Sequence, residues 1–184
     1  MLNKRCRYLM FTGLISSLML LSPSLWASYP LKLAVNLMEI KKLVTTESHG
    51  DELYFAMTEY SSHARSRHYL VPRYPTHWLS RHLQAVVDVG LWEKTLAVGE
   101  SAEIIFSLIE RDAPPWFVDD LIGTVKLRVR NHEGHLEKRW TMPNKKITEP
   151  LAQKSNTFVM TGDEGEYHVT FKLLQAPSKE EHAE

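Results

Sequence analysis

The sequence predicts an all-β protein, an antiparallel β-sandwich of seven or eight strands. Apolar and polar residues alternate with period two through most of the chain, the pattern of strands with one buried face. Three Gly-bearing turn signals separate consecutive runs, as hairpins require. No long amphipathic helix pattern interrupts them, which points to two packed sheets.

The strands are read in order. Leu31, Leu33, Val35 and Leu37 share one face of the first, with Lys32 and Asn36 opposite. Leu53, Phe55 and Met57 alternate with Tyr54 and Thr58. Ile104, Phe106 and Leu108 alternate with Ile105, Ser107 and Ile109, a run apolar on both faces and therefore central in its sheet. Gly99-Glu100 separates Leu91–Val98 from Glu103–Glu110, and Asn131-His132-Glu133-Gly134 separates Val125–Arg130 from Leu136–Thr141. Gly162-Asp163-Glu164-Gly165 separates Thr157–Thr161 from Glu166–Leu174. A short helix is expected at Thr76–Leu83.

The chain has 184 residues, with Lys+Arg and Asp+Glu both at 22. That balance argues against a nucleic-acid binder. Lys4, Arg5 and Arg7 form a basic start, followed by a charge-free run from Tyr8 to Leu25 that is broken by Pro23, and then by Ala27. This is the layout of a signal peptide cleaved after Ala27, and an uncleaved membrane anchor is the competing reading. Export, to the periplasm or beyond, is therefore expected, with no stable transmembrane segment after cleavage. Without Lys4, Arg5 and Arg7 the remainder is mildly acidic. The expected organisation is signal segment 1–27, one domain over 28–175 and a polar tail over 176–184. Roughly 150 residues suffice for one domain with its own core. The single cysteine, Cys6, lies in the leader. The mature chain therefore has no disulfide, thiol nucleophile or thiolate metal site.

The segment Glu110-Arg111-Asp112-Ala113-Pro114-Pro115-Trp116-Phe117-Val118-Asp119-Asp120-Leu121-Ile122-Gly123 gathers four carboxylates around an aromatic loop. Clustered carboxylates repel unless a cation or water separates them. Calcium takes six to eight oxygen ligands, readily supplied by acidic loops. These residues resemble the C2 family, calcium- and lipid-binding β-sandwiches. Glu110 and Asp112 match its strand-ending acid-x-acid, and Asp120 matches its acid before two apolar residues and Gly. Glu47, Gly50, Asp51, Glu52 and Tyr54 occupy the region of its other calcium loop. A Glu stands at 110 where the family has Asp, and the loop is longer. The resemblance implies calcium ligation by Glu47, Asp51, Glu52, Glu110, Asp112, Asp119 and Asp120. It also implies contact of Trp116 and Phe117 with a lipid or protein surface. The alternative is that the acids solvate a loop or form surface ion pairs, while Trp116 folds back over the end of the sandwich.

From Ser61 to Val87 there is no acidic residue. Arg65, Arg67, Arg73 and Arg81 are interleaved there with four histidines and with Tyr69, Tyr74 and Trp78. Arginine forks match phosphate and carboxylate, so this insert is a candidate anion-binding surface. The competing reading is a long crossover loop with Trp78 and Leu79 dipping into the core. Zinc is not indicated, because His63 and His68, like His77 and His82, lie five apart rather than at helical spacing. Neither a nucleophile elbow nor a phosphate loop is present. The expectation is a binding or interaction module that contacts lipid or a protein partner through loops at one end, with calcium as the cofactor that the resemblance implies. The alternative is cation-independent binding of an anionic surface through residues 61–87, and a hydrolase ranks below both.

Overall fold

A computed structural model describes residues 29–45, 50–62, 64–112, 118–142, 155–162 and 165–177. The leader lies outside the described residues, as do Glu47, His63, Trp116 and Phe117. Ten strands follow in order: β1 Leu31–Thr45, β2 Glu52–Ser61, β3 Ala64–Val71, β4 Trp78–Leu79, β5 Val89–Leu96, β6 Ser101–Glu110, β7 Asp120–His132, β8 His135–Thr141, β9 Ser155–Thr161 and β10 Gly165–Pro177. A short 3-10 helix, Ser80–Ala85, follows β4.

The strands form two antiparallel sheets. One is four-stranded, in the order β5-β1-β10-β9; the other is six-stranded, in the order β3-β2-β6-β7-β8, with β4 also pairing with β2. The all-β antiparallel sandwich expected from the alternation is what forms. All eight expected strands are present, and the insert contributes two more, β3 and β4. The expected helix appears as the 3-10 turn, beginning later than the pattern suggested because Trp78–Leu79 pairs with Leu53 and Glu52 first.

Side-chain parity explains the core. Leu31, Leu33, Val35 and Leu37 all point inward from β1. A bulge between Leu37 and Glu39 then shifts the phase, so that Ile40 turns inward instead of Glu39. Strand β6 is central, with Ala102, Ile104, Phe106 and Leu108 buried and Ile105 and Ile109 half-covered on the outer face. Phe171 sits amid Phe55, Phe106, Trp140 and Phe158, with ring centroids 5.1–5.8 Å away. Tilted and edge-on contacts of this kind add to the stabilisation from area burial. The β7–β8 turn has both central residues at positive φ, Glu133 at 54° and Gly134 at 86°. This two-residue type I′ turn matches the twist of its strands and sets their register.

Candidate functional site

The two acidic segments meet at one end of the six-stranded sheet. Glu110, the last residue of β6, is paired with Leu53 on one side and Asp120 on the other. The Arg111 amide donates to the Glu52 carbonyl at 2.8 Å, carrying the pairing past the strand end toward Asp51 and Asp112. Parity then decides where each acid goes. Asp51 extends the inward row of Leu53, Phe55 and Met57, and Glu110 extends that of Phe106 and Leu108. Asp51 is 0% exposed and Glu110 is 2% exposed.

The other acids are more open. Asp119 and Asp120 are exposed and Asp112 is half-buried. The Tyr54 hydroxyl donates to Asp119 Oδ2 at 2.6 Å, and the Asp112 amide lies 3.4 Å from Asp119 Oδ1. Burial raises the Tyr54 pKa to about 12; the Asp119 hydrogen bond and charge add to this, and nearby Arg111 opposes it. Glu52 faces His77 Nδ1 at 3.5 Å. Ser80 clamps Asp51 through the backbone, with its hydroxyl accepting from the Asp51 amide and its own amide donating to the Asp51 carbonyl, both at 2.9 Å. Among the described residues, no three His, Cys, Asp or Glu side chains form a group that could hold a metal.

The insert is more regular than a crossover loop. Its first half becomes β3, an edge strand paired with β2 from Phe55 to Ser61. Ala64 to His68 are exposed, as is Arg73 beyond the strand. Arg67 stands 3.7 Å from Glu59 and 5.8 Å from the Tyr69 ring centroid. The Tyr69 hydroxyl donates to the Leu91 carbonyl across to the other sheet. Burial raises the Tyr69 pKa; the Glu59 charge adds to this and the Arg67 charge opposes it. Trp78 packs edge-on against Phe55, as the dipping-loop reading expected.

Two features of this region escaped the sequence reading. Arg111 has a role that its place in the acidic segment does not show. It stacks between Tyr54 and Tyr74, 4.9 and 5.0 Å from their centroids, and donates to the Pro75 carbonyl at 2.9 Å. It thereby holds the proline loop of the insert against the acidic end, a cation–π arrangement. Glu59, an acid at an inward position of β2, is 3% exposed and pairs with Lys94. Its inward parity was legible, but its partner on β5 was not.

Among the described residues, no helix is long and apolar enough to cross a membrane. The class defined by fold and site is an all-β, two-sheet sandwich with an acidic pole and an arginine-bearing edge. No family model matches the chain, and no curated protein matches it.

Proposed function

We propose that this chain is an exported binding module, a C2-like β-sandwich, that engages an anionic lipid surface through its arginine-bearing insert. The observation that carries this reading is the acid-free insert folded as an exposed edge, with Arg65, Arg67 and Arg73 all presented to solvent. Among the described residues neither Arg65 nor Arg73 has an ion-pair partner, and Arg67 has only the 3.7 Å contact with Glu59. Exposed guanidinium forks on and just beyond an edge strand suit phosphate groups. The test is co-sedimentation with vesicles of phosphatidylglycerol and phosphatidylcholine at increasing salt. Binding is expected to need the acidic lipid, to weaken with salt, and to fall when Arg65, Arg67 and Arg73 become Gln while the thermal melt is unchanged. Equal binding to neutral vesicles, or by the triple variant, overturns the reading.

A second reading, calcium at the acidic pole with Trp116 and Phe117 as the contacting tip, is favoured by one observation. The pairing of Leu53, Glu110 and Asp120 brings both acidic segments to the same end. Millimolar calcium then raises the melting temperature and chelator reverses the shift. Asp112→Asn and Asp120→Asn remove the response, and an unresponsive wild-type melt rejects the reading.

A further inference from the structure

We propose a second site, independent of the insert, that binds a compact phosphomonoester on the outer face of the β7–β8 hairpin. Arg128 on β7 is directly opposed to Arg139 on β8, and Arg130 follows on the same outward row. Directly opposed like charges destabilise a sheet. An arginine pair at such a position is compensated when a doubly charged oxyanion bridges it. The three arginines line an open surface cavity of about 460 Å³ together with Gly99, Ser101, Glu137 and Lys138. That volume lies within the range of small-molecule sites, and it leaves room for a polar body behind the phosphate.

The neighbouring acids offset the charge of the site only in part. Glu137 faces Arg130 in the register and lies 2.9 Å from His132 Nδ1. Glu103 is shared between Lys126 at 3.4 Å and Arg128 at 3.7 Å. Among the described residues, Arg130 and Arg139 have no ion-pair partner. Arginine forks bind phosphate through charge-assisted hydrogen bonds, and three forks suit a dianion better than a single carboxylate. The flanking Glu103 and Glu137 disfavour an extended polyanion. Three strand spacings separate β7 from the insert's β3, roughly 14 Å, so the two sites can be tested separately.

The phosphomonoester is either carried by a soluble molecule or displayed on a lipid. The experiment uses the folded chain with glucose 6-phosphate, glucose, and vesicles containing phosphatidic acid, in chloride buffer of constant ionic strength. Amide shifts of Ser101, Arg130 and Arg139 are followed by nuclear magnetic resonance. Shifts with glucose 6-phosphate but not glucose support a soluble source; shifts with phosphatidic acid vesicles alone support a lipid-borne one. Arg130→Gln and Arg139→Gln should each weaken binding by about tenfold, the loss of one charge-assisted contact. Arg139→Gln should also raise the melting temperature in ligand-free buffer, by removing the opposed charge. The Arg65, Arg67 and Arg73 triple variant should bind glucose 6-phosphate, and show the same local amide shifts, as wild type does. No shift with either phosphate source overturns the proposal, as does unchanged affinity in Arg130→Gln and Arg139→Gln. Loss of glucose 6-phosphate binding in the triple variant also overturns it, because the insert would then account for the effect.

Discussion

Asn131, at the end of β7, donates from Nδ2 to the Leu96 carbonyl at 3.1 Å, joining the turn of one sheet to the last residue of a strand in the other. The same amide group reaches the Tyr29 carbonyl at 3.0 Å, and Oδ1 accepts from the Gly134 amide at 2.9 Å. The backbone of Asn131 is bonded as well, accepting from Gly99 at 2.7 Å and donating to Glu100 at 3.0 Å. One fully buried residue, through backbone and side chain together, thus ties both turns to the segment just before β1.

Asn131→Ala should therefore cost about 1–3 kcal/mol, because it leaves the buried Leu96 carbonyl without this donor. Urea denaturation monitored by tryptophan fluorescence measures it. A loss below about 0.5 kcal/mol, the level of an ordinary surface substitution, contradicts this role.

Glu59 presents the complementary case, an acid placed among apolar neighbours. Lys94 Nζ lies 3.0 Å from its Oε1, with side-chain exposures of 16% and 4%. Lys94→Met leaves the carboxylate with only the distant Arg67, and about 3 kcal/mol of stability should be lost. The double variant Glu59→Gln, Lys94→Met should recover part of that loss, since both charges are then gone. A double-mutant cycle with no coupling between the two positions rules out the pairing.

Tyr54 makes a prediction at alkaline pH. Its pKa is raised from 10.0 to about 12 by burial first and then by the Asp119 hydrogen bond. The folded state thus holds the phenol proton more tightly than the unfolded chain does. The resulting stability is fully present below pH 10 and is lost as pH rises through about 12. Ultraviolet titration should show a tyrosine ionising near 12 that is absent in Tyr54→Phe. At neutral pH that variant should lose only about 1 kcal/mol, because the freed Asp119 carboxylate is solvated.

Gly162 is read from sequence as a turn residue, yet its environment imposes a stricter demand. A Cβ there would meet the Ile122 Cα at 2.7 Å and the Leu121 carbonyl oxygen at 2.8 Å. Both are backbone atoms of β7, so no side-chain movement relieves the contact. Gly162→Ala should cost about 1–3 kcal/mol by overpacking. A thermal melt within a degree of wild type refutes the close approach.

Much of this architecture was legible in local pattern. Alternation placed the eight principal strands and their inward residues, because the two-residue side-chain period is a property of the extended backbone itself. Turn chemistry located the β7–β8 reversal within Asn131-His132-Glu133-Gly134, and the strand pairing narrows it to Glu133-Gly134. The two-residue turn even fixes Arg128 opposite Arg139, a consequence of pairing His132 with His135 that the sequence reading did not pursue. The absence of acids over residues 61–87 likewise marked an exposed segment before any fold was known.

Other features depended on the tertiary arrangement. Composition could group Asp51, Glu110, Asp112 and Asp120, but the strand pairing and inward parity decided that Asp51 and Glu110 are buried while Asp120 stays in water. The insert's conversion from presumed loop to edge strand depended on an open edge of β2, provided by chain far away in sequence. Lys94 found Glu59 across 35 positions, and Asn131 found Leu96 across the same separation. Alternation is written residue by residue, whereas burial and partner choice arise only when separate strands pack against one another.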